Sequence, residues 1–144
     1  SGRRKTDFFE KKGIKYYSID NYLTDSNLMI EVQGDYWHVN PLKFPNKINK
    51  LQYERIPKDK AKHTYTKNQY GIEILYLWES DIHNNTLLCE KLILEYIKRN
   101  GSLENYHSFN YYLDENGELM LRNNLIIPYQ DMKANQYKKL YEAS

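Results

Sequence analysis

Polar and apolar residues alternate most regularly between Asn27 and Gln33. Leu28, Ile30 and Val32 fall on one side, Met29, Glu31 and Gln33 on the other, the period-two pattern of a strand that ends at Gly34. The alternation points Val32 and its neighbours into the core. Residues 14–19 read as an earlier strand running into Asp20, and Thr24-Asp25-Ser26-Asn27 carries turn chemistry, so 19–23 and 28–33 are expected to pair as a hairpin. Residues 72–78 are almost wholly apolar, as in a strand buried on both faces. Residues 86–99 have helical spacing, with a cap at Asn85 or Thr86 and a stop at Gly101. Pro57 suits the first turn of a helix running to about Gln69 and closed by Gly71, which leaves residues 42–56 irregular. A helix set between two strands in this way makes a crossover unit. Residues 5–12 read as a short helix stopped by Gly13. Near the other end, 111–113 and 118–121 flank Asp114-Glu115-Asn116-Gly117, a hairpin signal, and a helix is expected over 131–142. The pattern predicts one α/β domain over 1–144: a mixed central sheet flanked by helices on both faces.

Composition changes this picture little. Hydrophobic residues make up 40% and charged residues 28%, ordinary for a globular domain of 144 residues. No apolar run approaches the ~20 residues of a membrane span, so no membrane partner is expected. The single cysteine, Cys89, excludes an internal disulfide and any multi-cysteine zinc site, and fits a reducing, cytoplasmic setting. The chain opens Ser1-Gly2 without a methionine, which leaves room for sequence upstream. A net charge of +2 is too small to announce a nucleic-acid binder. Local basic runs, Lys58 to Lys67 among them, are either solvated faces or phosphate contacts. The 15 tyrosines are mostly packing, with base stacking as the other reading.

The chemistry gathers at the alternating strand. Asp20 precedes it, Glu31 and Gln33 share one of its faces, and His38 follows it. If the two strands are neighbours, Asp20, Glu31 and the Val32 carbonyl offer the hard oxygen donors that Mg²⁺ takes. Such an ion polarises a phosphate and lowers the pKa of a bound water, and a histidine titrating near neutrality can take the proton. The spacing alone also fits a chance carboxylate pair and a half-buried histidine.

Asp20-x10-Glu31-x-Gln33 resembles the signature of PD-(D/E)XK nucleases, with Gln33 where lysine is usual. Gly34-Asp35-Tyr36-Trp37-His38 is similar to a segment of very short patch repair endonucleases. Gly71-Ile72-Glu73-Ile74-Leu75-Tyr76-Leu77-Trp78-Glu79 is similar to the Trp-Glu strand that follows in the same family. The resemblance covers about residues 14–82, the expected catalytic core, and is nearest to phage and mobile-element members, homing endonucleases included. Residues 83–144 read as an extension of helix and hairpin.

The resemblance implies a restriction-endonuclease-like fold and a bacterial or phage-encoded, Mg²⁺-dependent endonuclease acting on double-stranded DNA, with Mn²⁺ able to substitute. It implies Asp20, Glu31 and the Val32 carbonyl as metal ligands, His38 as general base, and Gln33 orienting phosphate or water. Asp59 is either a further acidic residue of the site or a carboxylate favoured by a helix N-terminus. Asp35 either caps the turn at Gly34 or serves a second metal. Glu10 is the only nearby match for an acidic residue on an N-terminal helix. Lys60, Lys62 and Lys67 are candidates for DNA phosphate contacts. The family's zinc ligands are absent, so no structural zinc is expected. Trp37 and Trp78 read as core or cleft floor, and His63, His83 and His107 as surface or loop residues. Two other readings stay open: a DNA-binding module weakened in catalysis by Gln33, and a nuclease selective for branched or single-stranded DNA. Oligomeric state is left open.

Overall fold

In the computed structural model the backbone is described for residues 3–10, 15–23 and 26–142, and side chains from Asp20 onward within those segments. Four strands form the main sheet in the order β1-β2-β3-β4: β1 Arg3–Glu10, β2 Lys15–Leu23, β3 Leu28–Gln33 and β4 Leu75–Trp78. The first three run antiparallel, and β4 lies parallel to β3 with Ile30 opposite Leu75 and Gln33 opposite Trp78. The sheet is therefore mixed. Helix α1, Lys50–Tyr70, makes the crossover between its two parallel strands. Short α2, Glu79–Asn84, and α3, Thr86–Lys98, follow β4. A second, two-stranded sheet pairs β5 Tyr111–Leu113 with β6 Leu119–Leu121, and α4, Ala134–Glu142, comes last. No helix among the described residues is long and apolar enough to cross a membrane.

The alternation in β3 sorts the core. Leu28 and Ile30 join Leu75, Leu77 and the α3 residues Leu88, Leu92 and Tyr96 on one face of the sheet. Met29 joins Ile72, Ile74 and Tyr76 on the other. The pattern breaks at its end, where Val32 is 42% exposed while Glu31 and Gln33 are buried. Val32 thus leaves the core, although its register partner Leu77 on β4 stays buried against α3. A third cluster, Val39, Ile48, Ile56, Tyr129 and Tyr137, fixes the start of α1 against the end of the chain. The outer edge of β4 is covered by the segment after α3: Tyr76 N donates to the Tyr106 carbonyl at 2.8 Å and Trp78 N to Ser108 Oγ at 2.8 Å.

Three expectations are corrected. The helix expected over 5–12 is not formed in its described part, and residues 11–13 lie outside the described residues. Backbone 3–10 is β1, with Phe8 and Phe9 registered opposite Tyr17 and Tyr16, as suits aromatic residues in strands. Glu10 therefore ends a strand, and its side chain lies outside the described residues. Second, α1 starts well before Pro57. Asn49 accepts from Gln52 N at 2.9 Å and Gln52 Oε1 from Asn49 N at 3.0 Å, a capping box that nucleates the helix upstream and leaves Pro57 inside it. Third, Glu79 opens α2 rather than closing a strand. Gly71 does close α1, in the left-handed region at φ 65°.

Candidate functional site

The site lies where parallel β3 and β4 end, the position at which α/β sheets present ligand groups. Continuing the β2–β3 register beyond Asn21 and Ile30 sets Asp20 opposite Glu31. Asp20 Oδ2 accepts a hydrogen bond from Val32 N at 3.0 Å, which holds its carboxylate against β3. Glu31 is 4% exposed. Burial pushes its carboxyl up to about 7 against the opposing pull of Lys62, and Asp20 raises it further by charge and by a hydrogen bond. The register therefore sets the two acidic residues expected from the sequence side by side on neighbouring strands. Glu31 Oε1 is sealed from solvent and meets no donor in good hydrogen-bond geometry, but the Lys62 ammonium stands 2.6 Å from it as a charge partner.

The second half of the site is the turn after β3. His38 N donates to the Gly34 carbonyl at 3.0 Å, closing one helical turn. Its ring Nδ1 lies 2.8 Å from Asp59 Oδ2 on α1. A carboxylate only accepts, so Nδ1 is the donor, and in the neutral ring Nε2 keeps its lone pair. Arg55 Nε lies 3.6 Å from Asp59 Oδ1 on the same helix. Asp59 stands in the interior of α1, not in its first turn, so the helix-terminus reading is overturned and its partners are His38 and Arg55. The same turn is clamped to the start of α1: Asn49 Nδ2 donates to Tyr36 Oη at 2.7 Å and Gln52 Nε2 to the Tyr36 carbonyl at 3.0 Å. Asp35 accepts from Asn40 Nδ2 at 2.8 Å, and its N–H donates to Glu79 Oε1 at 3.3 Å, so it braces the turn against α2.

Asp59, Lys62, His63 and Thr66 recur at helical spacing, so one face of α1 meets the polar end of the sheet. His63 is half-buried, not a surface residue. Its Nδ1 is 3.0 Å from Tyr76 Oη, and its Nε2 is 3.1 Å from Glu73 Oε2. His107 is buried and stacked on Tyr76, with Trp78 Nε1 donating to its Nδ1 at 3.1 Å. Burial holds its imidazole down to about 3, with His63 nearby adding to the effect. Trp78 is core, but Trp37 is 57% exposed and forms no cleft floor, because Tyr36 takes the anchored place beside it.

The three lysines differ in their engagement. Lys60 donates to the Met132 carbonyl at 3.1 Å, Lys67 pairs with Glu73 at 2.8 Å, and Lys62 alone of these three reaches Glu31. Gln33 is buried on β3 two residues beyond Glu31. Among the described residues no group of three or more His, Cys, Asp or Glu side chains gathers as for a metal. Two carboxylates on neighbouring strands nevertheless suit a hard cation that completes its shell with carbonyl and water oxygens. The pairings of Lys62 with Glu31 and of Asp59 with His38 were not read from the sequence. The signal for them was the polar stripe Asp59, Lys62, His63 and Thr66, which lies within the helix expected over 57–69, but nothing local tells which strand end it faces. No known protein family, characterised protein or solved structure matches the chain significantly.

Proposed function

We propose that this protein is a Mg²⁺-dependent DNA endonuclease of the PD-(D/E)XK, restriction-endonuclease-like type. The observation that carries the reading is the pairing of Asp20 with Glu31 across β2 and β3, with the Asp20 carboxylate held on Val32 N, beside the His38–Asp59 pair. Asp20 and Glu31, with the Val32 carbonyl, would hold the divalent cation, which when bound acidifies a water and offsets phosphate charge. His38 Nε2 takes the proton of the attacking water, and Asp59 stabilises the imidazolium that results. Gln33 has amide donors but no charge and serves orientation only. Lys60 and Lys67 flank the site on α1 and could position the DNA backbone without reading its sequence.

Nicking of supercoiled plasmid in Mg²⁺ tests this. The wild type is expected to relax the plasmid, and both Asp20→Ala and His38→Ala to fall by about 100-fold or more. Nicking that survives Asp20→Ala refutes the assignment. Salt-sensitive DNA binding without nicking, in Mg²⁺ or Mn²⁺, would instead support a binding module disabled at Gln33.

The exposed Trp37 ring, one residue before His38, favours a refinement in which unpaired or branched DNA is preferred, since aromatic faces stack on unpaired bases. A panel of duplex, nicked and branched substrates separates the two nuclease readings.

A further inference from the structure

We propose that Lys62 is the cationic residue of the reaction: its ammonium occupies Glu31 while no metal is bound, then yields that carboxylate to the divalent cation and turns to the scissile phosphate. This rests on the nuclease reading and assigns the charge that Gln33 cannot supply.

The argument begins with the cost of the carboxylates. A buried anion beside another needs a counter-charge. On β3 none is available, because Gln33 is neutral and buried. The charge arrives instead from α1, across the layer between helix and sheet. Lys62 Nζ is 2.6 Å from Glu31 Oε1, and three-quarters of its side chain is covered, against the 60% exposure of the Lys67 side chain. The helix also sets its aim. Lys62 follows Asp59 by three residues, so their Cβ atoms are neighbours about 5–6 Å apart. Asp59 holds His38. One turn of α1 therefore carries both the ammonium and the support of the base, and the carboxylates lie under that turn.

Two cations compete for one buried oxygen, since ammonium and metal repel each other strongly at that range. Lys62 has a four-carbon stem and one compact charge, which lets it leave Glu31 without leaving the site. A phosphate bound at the metal is the nearest new anion. In the hydrolysis the water oxygen bonds to phosphorus and its proton passes to His38 Nε2. The opposite P–O bond breaks, and the departing oxygen takes a proton from solvent. Lys62 keeps its proton throughout and stabilises the charge growing on the non-bridging oxygens.

Two measurements on the full chain test this. The first is amine labelling of the wild type, read lysine by lysine by mass spectrometry, with and without Mg²⁺ and without DNA. Labelling of Lys62 is expected to rise severalfold on adding Mg²⁺, that of Lys60 and Lys67 to stay constant, and the rise to vanish in Asp20→Asn. Lys62 labelling that ignores Mg²⁺ overturns the exchange.

The second is Lys62→Met on plasmid DNA. The expected result is a fall in kcat of about 100-fold or more with KM unchanged, partly reversed by added ethylamine. A loss confined to KM would make Lys62 a backbone contact only and overturn the proposal, as would full activity. The failures are distinguishable. If the wild type nicks DNA and depends on Asp20 while Lys62→Met is unimpaired, only this inference falls. If Mg²⁺ exposes Lys62 but no substrate is cut, the exchange stands and the nuclease reading falls.

Discussion

Two buried side chains pull the stability of this protein in opposite directions with pH. Glu31 is raised from 4.5 to about 7 in the folded state, so its contribution is fully present below pH 4.5 and is lost as pH rises through 7. His107 is lowered from 6.5 to about 3, so its contribution is present above pH 6.5 and is lost as pH falls toward 3. Between pH 4.5 and 6.5 the slopes offset each other. Glu31→Gln removes one of them. It is expected to stabilise the protein by about 3 kcal/mol at pH 8 and to make stability fall by about 2 kcal/mol from pH 6.5 to 4.5. Urea unfolding at those three pH values checks this, and a variant no more stable than wild type at pH 8 contradicts it. Asp20, Glu31 and His38 were legible in the sequence because a strand period and short spacings place them. Asp59 and Lys62 were legible as residues but not as partners. The His38–Asp59 contact spans 21 positions and depends on how α1 docks against the turn after β3, which no local pattern gives. His107 reads as a loop residue because nothing local tells that Tyr76 and Trp78 close over it.

At the scale of elements, periodicity was enough wherever one residue type dominated a face. The β2–β3 hairpin, α3 and the β5–β6 hairpin stand where their patterns put them, while β4 keeps only Leu75–Trp78 of the strand expected over 72–78. Helix α1 did not, because two start signals compete and Asn49-x-x-Gln52 satisfies two orphan N–H groups where Pro57 merely lacks one. That cap also grips Tyr36, so it joins the helix to the histidine turn. Asn49→Ala is therefore expected to cost about 1 kcal/mol of stability and also to loosen His38. Chemical denaturation reads the first effect and the His38 imidazole resonances the second. An unchanged His38 environment would show that the Tyr36 clamp is dispensable.

At the scale of the molecule, the site depends on packing far from it. Val39 and Ile48 flank the histidine turn and share a cluster with Ile56, Tyr129 and Tyr137. Tyr137→Ala empties a buried ring position and is expected to cost about 3 kcal/mol. Hydrogen exchange should rise at the start of α1 and in the turn through His38, and stay low in β3 and β4. Uniform loss of protection would mean that the cluster supports the whole domain. The covered edge of β4 has a consequence of another kind. A bare strand at the rim of a sheet is a template on which a second chain can polymerise. Here Tyr76 and Trp78 have already spent their amide hydrogens on residues 106–108. This apolar strand is thereby closed to fibril growth on that side, and the polar end of the sheet can stay open to solvent without inviting aggregation there.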